Sequence, residues 1–289
     1  MQHPHSNGGK PEGAIYRAFF ICWIISTFPI MQEQINLLLS FAKEHKLELP
    51  ENFLDKILEF CKLLLEANKS TNLISKNDEK KLLTRHVADS LVFAIHQVPH
   101  SHWADIGSGA GFPVIPLCLY FPQTNFFAIE CRKKRCEFLN AVQQKLNLQN
   151  LEIIQGNVRT LKVPLPHIDI VSCRAVGELQ EDFECAKKLL KKGGYFLTLK
   201  SKRIIDELKA KKDNSLKQAK IWDYRLPEES MEYALVMVYF EANASITPST
   251  VKSSGSKKAS PREFRNKSNG TPSRPYFSKN IKASLFELV

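Results

Sequence analysis

The seven cysteines of this chain include no C-x-x-C pair, and their number is odd. A disulfide framework and a zinc ribbon are therefore not expected. Cys22, Cys61, Cys118, Cys131, Cys136, Cys173 and Cys185 read as mostly buried thiols of a reducing, cytoplasmic compartment, with no metal site. A membrane span is also missing, because no apolar run approaches the ~20 residues it needs. The strongly apolar stretch AFFICWII at 18–25 is broken by Ser26, Thr27 and Pro29 before Ile30. It has a thin basic flank and no A-x-A-type cleavage site, so it makes a poor signal peptide. Residues 1–30 are expected to be a non-native extension, with the body starting at Met31 and no membrane association. Acids are scarce at the far end, where residues 244–289 hold nine Lys/Arg against two Asp/Glu. That segment, rich in Ser, Thr, Pro and Asn, is expected to be a disordered basic tail.

What remains is ordinary for a soluble protein: 43% hydrophobic and 25% charged residues over 289 positions, with a net charge of +11. The excess concentrates in the tail and in residues 187–220, where twelve Lys/Arg face three Asp/Glu. A basic stripe and a basic tail suit a polyanion such as nucleic acid.

Apolar residues recur at helical spacing over 33–46 (Ile35, Leu38, Leu39, Ala42), over 51–67 after Pro50, and over 78–96. Residues 31–98 are thus a helical segment. Strand patterns follow at 102–107, 125–130, 151–156, 167–173, 194–200 and 233–240. Helical gaps separate them at 112–121, 131–146, 178–191 and 202–213. This alternation predicts an α/β, Rossmann-like sheet over 99–243 with helices on both faces, and room after 214 for two late antiparallel strands.

The chemistry concentrates at Asp105-Ile106-Gly107-Ser108-Gly109-Ala110-Gly111-Phe112-Pro113, between a strand and a helix. Alternate glycines let the backbone turn sharply and approach a ligand closely. The dinucleotide fingerprint G-x-G-x-x-G needs glycine where Phe112 stands. D-x-G-x-G-x-G is the S-adenosylmethionine methyltransferase pattern instead. Glu130, ending the next strand, can accept from both ribose hydroxyls, or pair with Arg132 or Lys133. Val158 and Arg159 lie where the adenine edge would fall. Arg174 follows an apolar strand and needs an anionic partner, either a ligand or Glu178. Lys200 ends another strand, as a phosphate contact or a solvated charge.

Taken together, RHVADS (85–90), DIGSGAGFPVIPL (105–117), AIECRKKRCEFL (128–139), SCRA (172–175) and LTLK (197–200) resemble the small-subunit methyltransferase G (GidB) family, the bacterial 16S ribosomal RNA guanine-N7 methyltransferases. The resemblance covers about residues 33–241. It implies a cytosolic, monomeric enzyme acting on 16S rRNA or the small subunit. Gly107, Phe112, Glu130, Val158, Arg159 and Arg174 would line the S-adenosyl-L-methionine site. Arg85, His86, Asp89 and Ser90 would cap the transfer pocket; without the resemblance, Arg85 and Asp89 read as an i,i+4 surface pair and His86 as a core histidine. Arg159 stands where the family usually has Glu, which leaves a main-chain contact there. No general base is expected, because N7 carries a free lone pair. A methyltransferase of this fold on another substrate, or a silent RNA-binding assembly factor, is the alternative; a nicotinamide oxidoreductase is disfavoured by Phe112.

Overall fold

A computed structural model describes residues 29–95, 100–162, 164–174, 177–210 and 219–240. The apolar run at 18–25, Cys22 and the basic tail lie outside these residues. Helix α1 (Pro29–Glu44) and helix α2 (Phe53–Thr71) open the described chain. Ile35, Leu38 and Ala42 of α1 are buried as the spacing predicts, but Leu39 is 37% exposed and Phe41 takes the core position. In α2 the buried face is Phe53, Ile57, Leu58, Phe60, Cys61 and Leu64, and Asn72 ends the helix in the left-handed conformation.

The expected single helix over 78–96 is a correction. It divides into a 3-10 turn (Asp78–Lys81), a π-helical turn (Leu82–Val87) and a short helix α3 (Ala88–Val92). A π turn inserts an extra residue per turn, so side chains beyond it leave the helix on a different face. Arg85 and Asp89 consequently do not pair.

The sheet then forms in the predicted alternation. Its elements are β1 (His102–Ile106), α4 (Val114–Tyr120), β2 (Asn125–Glu130), α5 (Lys133–Leu146), β3 (Leu151–Gln155), β4 (Ile168–Arg174), α6 (Leu179–Lys187), β5 (Leu190–Ser201), α7 (Lys202–Ala210), β6 (Ala219–Arg225) and β7 (Glu232–Tyr239). Helix α6 stops at Lys187 rather than 191, because Leu190 already pairs with Ile168 in the sheet. The strand order is β3-β2-β1-β4-β5-β7-β6, with β7 antiparallel to both its neighbours. The central strands β1 and β4 are buried almost throughout, as expected of a parallel sheet covered on both faces.

Two cores fill the two faces. Trp103, Phe126, Ile170 and Leu197 pack against α1, α2, α4 and α5. Ala104, Ile129, Val171, Cys173 and Phe196 face α6 and α7. Among the described residues no helix is long and apolar enough to cross a membrane. Of the described cysteines, Cys61, Cys118, Cys136 and Cys173 are buried and in no disulfide, while Cys131 is exposed.

Candidate active site

Strand order reverses between β1 and β4, and ligands of open α/β sheets bind at such a switch point, beyond the strand C-termini. A cleft of about 250 Å³ lies there. Ile106, Ile129 and Cys173, from the ends of β1, β2 and β4, form its floor, and Gly107, Val158, Glu181 and Cys185 stand among its walls.

The glycine loop enters the cleft from β1. Gly107, Gly109 and Gly111 have φ of 72°, 56° and 93°, a region that side chains adopt only under strain. The loop is sewn to the end of β2. The Gly107 N–H donates to the Ile129 carbonyl at 2.8 Å, and the Gly109 N–H to Glu130 Oε2 at 2.9 Å. A Cβ on Gly111 would lie 2.8 Å from Ile115 and 3.2 Å from Phe60, so glycine there lets α2 press against the loop.

Glu130 is 3% exposed, and both its oxygens are engaged, Oε1 accepting the Arg132 N–H at 2.8 Å. Its carboxylate therefore fixes the loop; the Arg132 contact runs through the main chain, and the nearest guanidinium belongs to Arg135 at 3.7 Å. Val158 lines the cleft. Arg159 also lines it, but its N–H already donates to Asn157 Oδ1 at 2.9 Å and its guanidinium lies 3.2 Å from Glu181. The main-chain contact expected of Arg159 is thus already taken.

Phe112 turns its ring away from the cleft. It packs at 5.1 Å from Phe60 and stacks at 5.0 Å on His86. Arg174 lies over the same ring, 5.3 Å from its centroid. Its Nη2 donates to His86 Nδ1 at 3.0 Å, and its Nη1 lies 3.4 Å from Asp89 Oδ2. The partner of Arg174 within the chain is thus Asp89 rather than Glu178. Burial, then the Arg174 charge, pushes His86 down to about 4, so the imidazole is neutral near pH 7. Arg85 turns instead to Glu229 at 2.6 Å. Ser90 is buried and donates to the His86 carbonyl at 2.6 Å.

Lys200 is a correction. It ends β5 at the expected edge, but its side chain is only 7% exposed. Its Nζ donates to the Gly177 carbonyl at 2.6 Å and to Asp182 Oδ2 at 3.1 Å. A lysine so placed supports the cleft wall and does not reach a phosphate.

Beneath the loop, Asp105 is 1% exposed. Trp103 Nε1 donates to Ser172 Oγ at 2.9 Å, and Ser172 donates to Asp105 Oδ1 at 2.8 Å. Asp105 Oδ2 has no hydrogen-bond partner in the structure. Burial pushes this carboxyl up to about 7. An orphaned carboxylate oxygen beneath a glycine loop suits a cationic ligand group.

Sequence reasoning missed Tyr224, Glu229, Tyr233 and Asp182, which complete these clusters. None carries a local signal, since each acts through partners remote in the chain.

The profile of a protein family described as rRNA small subunit methyltransferase G matches residues 53–229. Two curated relatives are named Ribosomal RNA small subunit methyltransferase G. That of Ectopseudomonas mendocina (strain ymp) is 33% identical over 182 residues, covering 63% of this chain and 85% of its own. That of Staphylococcus aureus (strain JH9) is 34% identical over 206 residues, covering 68% and 85%. A solved SAM dependent methyltransferase from Aquifex aeolicus aligns with a TM-score of 0.44 at 14% identity, covering 61% of this chain and 98% of that one.

Proposed function

Because the chain belongs to the rRNA small subunit methyltransferase G family, we propose that this rRNA methyltransferase uses S-adenosyl-L-methionine to methylate N7 of a guanine in 16S ribosomal RNA. When bound, S-adenosylmethionine supplies an electrophilic methyl group, which the N7 lone pair takes without loss of a proton. The glycine loop gives close main-chain approach, Asp105 Oδ2 offers a carboxylate to the cofactor's ammonium, and Val158 lines the adenine end. Glu130 keeps the loop closed against β2, and the second lone pair on each of its oxygens would accept from a ribose hydroxyl of the bound cofactor.

The observation that carries N7 is the state of the two titratable groups beside Arg174. A methyl acceptor bearing N–H or O–H requires a base. His86 Nδ1 accepts from Arg174, which puts the proton of the neutral ring on Nε2, 3.5 Å from Asp78 Oδ1, and Asp89 is shared between Arg174 and Tyr224. Neither is poised to take a proton. An acceptor that releases none fits this arrangement, and catalysis becomes orientation, worth up to about 7–11 kcal/mol. Exposed Arg132 and Lys134 beside the cleft wall suit RNA phosphates.

The test uses small subunits from a strain that lacks the modification. Incubation with methyl-labelled S-adenosylmethionine, then nucleoside mass spectrometry of the rRNA, is expected to give labelled 7-methylguanosine. Label in another nucleoside would overturn the N7 assignment, and no label would favour the assembly-factor alternative.

A further inference from the structure

Arg174 leaves β4 beside Cys173, whose side chain is on the floor of the cleft, and turns to the opposite face over Phe112. An arginine side chain left alone samples many rotamers. Here Asp89, His86 and the Phe112 ring hold it in one. Asp89 is in turn held from the other side, because Tyr224 Oη donates to its Oδ1 at 2.7 Å. Tyr224 stacks on Tyr233 with ring centroids 5.7 Å apart, and Tyr233 donates to Glu229, the partner of Arg85. This network joins four separate segments: the π-helical cap, the glycine loop, the end of β4 and the late β6–β7 hairpin.

We propose that Asp89 and Tyr224 are positioning residues for rRNA methyl transfer, holding the Arg174 guanidinium over the Phe112 ring of the glycine loop and making the β6–β7 hairpin part of the active site. The proposal rests on Arg174 serving methyl transfer and not on which nucleoside atom is methylated. Both Asp89 oxygens are used within the protein, so its contribution passes through Arg174.

The groups around Asp89 give this role a pH signature. Burial raises its carboxyl above the usual carboxylate range. Arg174, the Tyr224 hydrogen bond and Arg85 pull it down, and Glu229 pushes it up. His86, neutral near pH 7, meets Asp89 only through Arg174. The clamp needs Asp89 ionised, so kcat falls as pH drops through the Asp89 pKa. Removing the Tyr224 hydroxyl removes one lowering influence, and the acid limb moves to higher pH.

The experiment measures total label transferred to small-subunit rRNA as kcat and as KM for each substrate, across pH. Tyr224→Phe, which keeps the ring, is expected to lower kcat about tenfold and to move the acid limb up by about one pH unit, with KM for the subunit unchanged. Asp89→Asn is expected to lose on the order of 100-fold. Tyr195→Phe removes a phenol bond of similar length, 2.9 Å to His100 just before β1, at the opposite end of the strands from the glycine loop, and leaves both readouts unchanged. Wild-type kcat and acid limb in Tyr224→Phe, with Arg174→Ala inactive, would overturn the positioning role. Full activity in Arg174→Ala would overturn it as well, by removing the group being positioned. Nucleoside analysis of the same samples reports on N7 separately.

Discussion

Gly107→Val is expected to abolish cofactor binding while the protein stays folded. Gly107 lines the cleft and sits at φ 72°, so the substitution has two effects. A β-branched residue in the left-handed region costs about 1–3 kcal/mol of stability. The isopropyl group also occupies the space that close main-chain approach leaves for the ligand. Gly193 separates these effects. It has φ 77° and open space around its missing Cβ, far from the cleft. Gly193→Val should lose similar stability and keep its ligand. With S-adenosylhomocysteine at 100 times its wild-type dissociation constant, wild type and Gly193→Val should gain about 2.7 kcal/mol. Gly107→Val should gain nothing. Wild-type affinity of Gly107→Val in calorimetry would remove the glycine loop from the cofactor site.

Lys200→Met should be the most destabilising single change among the charged residues of the site. The Lys200–Asp182 pair is 7% and 5% exposed, and deleting the cation leaves a carboxylate buried beside the Gly177 carbonyl. Breaking a buried pair from one side costs about 3–5 kcal/mol. Gly177 and Asp182 also line the cleft, so cofactor affinity should fall with stability. The double substitution Lys200→Met with Asp182→Leu should recover much of the loss, and a double-mutant cycle measures the coupling. RNA affinity separates this buried role from phosphate binding. If Lys200 neutralised a phosphate, its removal would reduce the slope of log K against log salt by about one. An unchanged slope is expected. A reduced slope with unchanged melting temperature would return Lys200 to the RNA surface.

Much of this architecture is written locally. The switch from helical to alternating periodicity at residue 102 marks where the sheet begins, and the six strand patterns fall on β1 to β5 and β7 within a few residues. Three glycines in five positions mark the loop because a positive φ admits little else. What the chain does not announce is pairing over distance. Arg85 and Asp89 look like a surface pair at helical spacing. The π turn rotates them apart, toward partners 144 and 85 residues away. Lys200 looks like a free strand end until α6 folds over it with Asp182. Phe112 has the position of a ligand contact, yet Phe60 and His86 supply an apolar slot that its ring fills. Edge strand β6 alternates weakly, and its one deeply buried side chain, Tyr224, is half of a long-range hydrogen bond.

The position of that hairpin has a temporal consequence. Residues lining the cleft end at Cys185, whereas the phenol that steadies Asp89 arrives at Tyr224 and the stacking ring at Tyr233. Chains emerge from the ribosome N-terminal end first, and pairings this remote form only after a large loop closes. A polypeptide cut short before Tyr224 therefore lacks the phenol that holds Asp89. The clamp on Arg174 is complete only in a chain translated through the hairpin.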